Sequence, residues 1–228
     1  MRHFRTGLAI TLLLAVAACG GANRVATATT PEPTPVAGTS GEGRYVAKAR
    51  ADSARYPYTK ADIEFMTGMI AHHAQAIRMS VLAPTHGASP SVRTLAERII
   101  NAQTDEIVLM QNWLRDRRQP VPDAKATGMH MMMNGTDHVM LMPGMLTEEQ
   151  MKQLDDAKGT EFDRLFLTGM IQHHKGAVSM VKTLFDTYGA AQDELTFKFA
   201  SDVNVDQTTE IARMQQMLAM LTILGHAP

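Results

Sequence analysis

From residue 59 onward, apolar residues recur three and four apart through most of the chain, the spacing of amphipathic helices. No stretch sustains the every-other-residue alternation of a strand. Four long helices are predicted. The first runs from about Thr59, a candidate N-cap, to Ala83. The second runs from Ser89, with Pro90 at the first helical position, to about Arg118, and Pro120 lies beyond its end. The third runs from about Thr160 to Tyr188 and stops at Gly189. The fourth runs from about Gln192 to Leu224, with Gly225 as its stop. Thr147 and Gln150 have capping-box spacing, which opens a short helix ending near Gly159. Another short helix is expected over 44–55, before Pro57.

The helices repeat. Thr67-Gly68-Met69-Ile70-Ala71-His72-His73 matches Thr168-Gly169-Met170-Ile171-Gln172-His173-His174 at six of seven positions. Asp62, Ala76 and Met79 pair with Asp163, Ala177 and Met180 at the same offset of 101. In the helices that follow, Gln103, Glu106, Ile107, Met110 and Leu114 pair with Gln207, Glu210, Ile211, Met214 and Leu218, offset by 104. A helix pair has been duplicated, and two such hairpins most simply bury their apolar stripes as an all-α four-helix bundle. The repeats span about 59–118 and 160–224, joined by a Met-rich linker over 119–159.

On a helical wheel Ile63, Met66, Ile70, Ile77 and Val81 centre on one face, the expected core. Met69, His72, His73 and Met79 then fall on its shoulder, and Met170, His173, His174 and Met180 repeat the arrangement. A shoulder is sheltered yet reachable, as a ligand site requires. Residues three and four apart on a helix can converge, so Met69 can meet either His72 or His73. Thioether sulfur binds Cu(I) well and hard ions poorly, and imidazole suits copper, zinc and nickel. Glu106 and Glu210 could accept the second ring N–H of a histidine, a usual outer-shell role. Met66, Met110 and Met214 are secondary candidates. Mid-helix Gly68 and Gly169 cost about 1 kcal/mol each against Ala, which points to close helix approach. The plainer reading of the same residues is that Met fills core gaps and His marks a boundary.

The linker holds seven Met and two His within 129–145: Met129, His130, Met131, Met132, Met133, His138, Met140, Met142 and Met145. Outside a regular helix, that density suggests a loop that sequesters a soft metal. His86 and His226 carry no pattern.

The N-terminus changes the picture of where the domain works. Arg2 and Arg5 precede an apolar run over 8–18, too short to span a bilayer, which needs about 20 residues. It ends Val16-Ala17-Ala18-Cys19, which resembles a bacterial lipobox, so 1–18 reads as a lipoprotein signal peptide with Cys19 as the lipid attachment. Residues 19–43, rich in Pro, Thr, Gly and Ala, read as a flexible tether, and 44–228 as the duplicated domain. Cys19 is the only Cys, so metal chemistry in the domain must use His, Met or carboxylates. Without Arg2 and Arg5 the 22 basic residues become 20 against 23 acidic, a formal charge of −3 with no basic tract for nucleic acid.

Three elements together resemble the bacterial domain-of-unknown-function family 305: the paired Thr-Gly-Met-Ile-x-His-His motifs, Met142-Pro143-Gly144-Met145-Leu146-Thr147 with Gln150-Met151, and Glu161-Phe162-Asp163-Arg164-Leu165-Phe166. The resemblance covers roughly 51–224. It implies a ferritin-like fold and, through a characterised periplasmic copper-binding member, copper handling at Met69, His72, His73, Met79, Met170, His173, His174 and Met180. Di-iron oxidase chemistry would need Glu-x-x-His motifs. Residues Thr67, Ile100, Leu109, Arg164 and Arg213 stand three after Glu64, Glu97, Glu106, Glu161 and Glu210 instead. The expectation is a lipid-anchored envelope protein, not an enzyme, on the periplasmic or extracellular face. It would bind Cu(I), with Ag(I) and Cu(II) as alternatives, and pass it to an envelope copper-handling partner or store it. The competing expectation is a structural or interaction lipoprotein with no specific metal. Ligand histidines must be neutral, so binding should weaken as pH falls through the His range.

Overall fold

The structure is a computed structural model that describes residues 58–133 and 136–224, and side chains there outside 129–139 and 224. The signal peptide, Cys19, the tether, the short helix over 44–55 and His226 lie outside the described residues. Helix α1 is Lys60–Ser80, α2 Pro90–Asp116, α3 Glu148–Asp156, α4 Gly159–Asp186 and α5 Glu194–Leu224. Hairpin α1/α2 and hairpin α4/α5 pack against each other through α1 and α4. Among the described residues no helix is long and apolar enough to cross a membrane.

The helix starts follow the local chemistry. Thr59 accepts the Asp62 N–H while the Asp62 side chain accepts the Thr59 N–H, a capping box. Ser89 caps α2 ahead of Pro90, and Thr147 with Gln150 closes a second box on α3. Helix α3 ends at Asp156, short of Gly159, which instead opens α4.

The linker departs from the all-helical expectation. Strands β1 (Met129–Met133) and β2 (Thr136–Met140) form an antiparallel hairpin, with Met129 opposite Met140 and Met131 opposite His138. The Met run hides the strand signal, because it reads as continuously apolar rather than alternating.

Two aspartates bind the hairpins reciprocally. Asp62 at the head of α1 accepts the Ala191 N–H at 2.7 Å, in the loop before α5. Asp163 at the head of α4 accepts the Ser89 N–H at 3.2 Å, in the loop before α2. Each repeat therefore clasps the loop of the other, and Asp62 also closes the capping box of its own helix. Asp193 anchors the start of α5. Its Oδ2 accepts Trp113 Nε1–H at 2.8 Å and the Thr196 N–H and O–H, and its Oδ1 accepts Arg117 Nη2–H at 2.6 Å. The Arg117 guanidinium also lies over the Trp113 ring, 4.1 Å from its centroid. Asp193→Ala removes a helix cap and strands a buried indole N–H and a guanidinium. It is expected to lower the unfolding free energy by about 3 kcal/mol in denaturant melts, where Asp202→Ala on the exposed face changes it by less than about 1 kcal/mol.

Candidate metal site

Helix α1 buries nearly its whole circumference, from Asp62 and Phe65 round to Ala76 and Met79, because α2, α4 and the chain over 142–146 enclose it. This corrects the shoulder reading. Val81, placed at the centre of the apolar stripe, is exposed, and Ile63 and Ile77 are only half-buried. His72, His73, His173 and His174 are wholly buried, as are Met69, Met79 and Met170. A wheel that weights only apolar residues misplaces the core of a helix packed on three sides.

The grouping of the ligand candidates also differs from two separate arcs. The apolar core forms two clusters. One contains Met66, Met69 and Met110 of the first repeat with Met180 of the second. The other contains Met79 of the first repeat with Met170 and Met214 of the second. The four histidines lie between these Met positions along α1 and α4. The result is a polar histidine layer with sulfur from both repeats on either side.

Within the layer, His72 and His173 face each other with ring centroids 3.7 Å apart. His72 Nε2 lies 3.0 Å from the Pro143 carbonyl oxygen, and His173 Nε2 lies 2.9 Å from the His72 carbonyl oxygen. His174 Nε2 lies 2.7 Å from Glu210 Oε2, and His73 Nε2 lies 2.6 Å from Glu106 Oε2 without the alignment of a full hydrogen bond. All four Nε2 atoms thus face oxygens that can only accept. These partners assign the ring proton of the neutral imidazole to Nε2 and leave the lone pair on Nδ1. All four Nδ1 atoms are buried without a hydrogen-bond partner. The Oε1 atoms of Gln103 and Gln207, equivalent positions in the two repeats, are likewise unpartnered.

Burial sets the charge state. It pushes the pKa of His72 down to about 3, with the neighbouring His73 adding to the effect. It also holds His173 well below the ordinary range, followed by the influence of His72, His174 and His73. Outside the layer, burial and the charges of Glu106, Asp202 and Glu210 raise the Asp206 carboxyl, so carboxylates gather where α2 and α5 carry the glutamates.

Residues 142–146 form a strap across α1 and α4. Gln75 Nε2–H donates to Leu146 O at 2.9 Å, and Gln75 Oε1 accepts the Leu146 N–H at 2.6 Å. At the equivalent position of α4 stands Gly176, where any Cβ would collide with the Pro143 carbonyl group. Gly68 and Gly169 make room for side chains rather than for helix backbone. A Cβ at Gly68 would sit 2.8 Å from Met142 Sδ and 3.4 Å from Met180 Cε. One at Gly169 would sit 3.0 Å from Leu146 Cδ2 and 3.2 Å from Met79 Cε. Gln75, Pro143, Gly144 and Gly176 escaped the sequence reading as site residues. Their signal was a small residue in one duplicated helix against a long polar one in the other, Gly176 against Gln75.

The secondary candidates Met66, Met110 and Met214 are buried in the core. Met129, His130, Met131, Met132, Met133 and His138 fall on the hairpin strands, and their side chains are outside the described set. His86, set aside in sequence, is buried and fastens its loop to α3 through Asp155, 2.8 Å from the carbonyl oxygen. No group of three or more His, Cys, Asp or Glu side chains able to hold an ion is assembled among the described residues.

Comparison with known proteins agrees with this architecture. No protein of curated function matches the chain. A DUF305 protein of Streptomyces coelicolor is 28% identical, with a TM-score of 0.60 over 71% of this chain and 94% of that one. A DUF305 fragment from Deinococcus radiodurans is 26% identical, with a TM-score of 0.60 over 72% and 99%. CopM in its Cu(II)-bound form is 29% identical, with a TM-score of 0.54 over 69% and 95%, and CopM has also been solved with Cu(I) bound. The model of the domain of unknown function DUF305 matches residues 62–218, most of the chain and both histidine pairs, and the chain belongs to that family.

Proposed function

We propose that the protein is a copper-binding lipoprotein of the cell envelope, which takes up Cu(I), and Ag(I) or Cu(II) as alternatives, for sequestration or delivery without a bond-making step. One observation carries this reading: four buried imidazoles offer unpartnered Nδ1 lone pairs while their Nε2 atoms face two carbonyl oxygens and two carboxylates. A ligand histidine usually gives its other N–H to such a carboxylate or carbonyl. A buried polar atom left unpaired costs about 1–3 kcal/mol, so four of them in a repeated pattern call for an occupant. Flanking thioethers at Met69, Met79, Met170 and Met180 favour a soft monovalent ion over zinc or a hard cation. The likeness to CopM, solved with Cu(I) and Cu(II) bound, supports the same choice. Lipid attachment at Cys19 rests on the sequence of 16–19.

The pKa values alter the expected pH response. His72 stays neutral down to about pH 3, so protons do not compete for this ring in the ordinary His range.

The decisive measurement is an anaerobic Cu(I) competition titration of the mature protein. Changing His72, His73, His173 and His174 together to Ala is expected to weaken binding at least about a hundredfold. Wild-type affinity no better than that of an unrelated helical bundle refutes copper binding and leaves a structural lipoprotein. Binding that survives the four changes and is lost on deleting 129–145 moves the principal site to the Met-rich hairpin.

A further inference from the structure

The proposed ligands are buried, which raises the question of how an ion arrives. We infer that a groove between α1 and α4 is the port to the histidine layer, with Met180 Sδ as the first ligand an incoming soft cation meets. This rests on the copper reading.

The groove is a cavity of about 260 Å³ lined by Glu64, Phe65, Pro143, Met180, Thr183 and Thr187, among others. Seven of the eight proposed ligands are 0% exposed, and Met180, on the groove wall, is 9% exposed. Pro143, on the same wall, is the residue whose carbonyl takes the His72 N–H. The groove therefore touches both a sulfur ligand and the support of a nitrogen ligand. Glu64, exposed at its rim and paired with Lys60 at 2.9 Å, supplies a carboxylate where a cation enters.

The duplication provides an internal comparison. The equivalent surface in the other repeat carries Leu165, Phe166, Met79, Leu82 and His86 in place of Glu64, Phe65, Met180, Thr183 and Thr187. That surface is covered by α3, whose Met151 and Leu154 are buried in one cluster with Met79, Ala83 and Phe166. One copy of the surface is apolar and sealed. The other is lined by Thr and Glu and open. Sealing both would isolate the layer.

Two other routes fit less well. A depression of about 560 Å³ on the far side of Pro143 is lined by Gln172, Lys175, Gly176 and Ser179, with no sulfur and with a cationic side chain. The carboxylate face at Glu106, Glu210 and Asp206 meets His73 and His174 on their Nε2 side, the side that carries the proton.

The test is stopped-flow uptake of Cu(I) from a chromophoric chelator, with equilibrium affinity measured in parallel. Thr183 is exposed, so Thr183→Trp is expected to fold, fill the groove and slow uptake at least about tenfold while affinity stays within about threefold. Thr187→Trp is a second plug with the same expectation. Met180→Leu keeps the volume, removes the sulfur and is also expected to slow uptake. Ser179→Trp, in the other depression, is expected to load at the wild-type rate. Wild-type uptake by both plugged variants overturns the port, as does slowing confined to Asp206→Asn. A wild-type protein that binds no Cu(I) overturns the copper reading itself, which separates the two failures.

Discussion

Acidification from pH 7 to 5 is expected to cost the folded protein about 2 kcal/mol through His72 alone, as read from denaturant melts at a series of pH values. The cause is the difference in proton uptake between states. Unfolded, His72 titrates near its ordinary 6.5, and folded it titrates near 3. Between those values the unfolded chain binds the extra proton, so its contribution to stability is complete above about pH 6.5 and drains away as pH falls towards 3. His72 alone then removes about 4 kcal/mol by pH 3, a large share of a domain's total stability. His173 acts in the same direction. The interval from pH 6.5 to 5 is diagnostic, because ordinary carboxylates do not yet titrate there. A level stability profile across it would contradict the buried neutral layer. A bound metal that occupies Nδ1 should raise the whole profile and leave its slope across that interval, since it adds binding free energy to the folded state only.

Gly176→Ala is expected to be the most damaging single methyl in the domain, at about 3 kcal/mol or more. The new Cβ meets backbone atoms of Pro143, which cannot rotate away as a side chain would. On the other side Gly144 is held between Gln172 O and Gly176, with φ at +79°, a left-handed conformation that favours glycine. The strap must therefore lift or α4 must shift. Lifting breaks the Pro143 contact to His72 and the two Gln75 hydrogen bonds to Leu146. Gln75→Leu separates the two consequences. It loosens the strap without the collision and should cost about 1–3 kcal/mol by stranding the Leu146 backbone groups. A Gly176→Ala protein as stable as the wild type would mean that the strap is not seated on α4.

Much of the architecture was legible in advance because its signals are local or repeated. Thr59, Ser89 and Thr147 announce helix starts through side-chain capping, and an offset of 101 exposes the duplication. The level of burial was not legible. A wheel assigns depth from apolar residues alone, and four histidines inside a core look polar until their partners are known. Those partners are distant in sequence: Pro143 for His72, Glu210 for His174. Glu106 and Glu210 could be named beforehand because they occupy equivalent positions, whereas the Pro143 carbonyl leaves no side-chain trace. The hairpin at 129–140 was missed because five residues of mostly Met neither alternate nor show helical period.

The Gln75/Gly176 difference bears on the history of the chain. The reciprocal clasp of Asp62 and Asp163 is the geometry of a twofold dimer, in which each copy grips the other identically. One strap crossing such an axis cannot obey the symmetry. In a homodimer two identical straps would contend for a single seat, and both copies would have to present the same residue beneath it. Glutamine in both leaves no clearance, and glycine in both leaves nothing to hold the backbone. Fusing the halves into one polypeptide lets each side specialise, one as anchor and one as seat. The asymmetry that closes the site over the histidines is available to a gene duplication and denied to an assembly of equals.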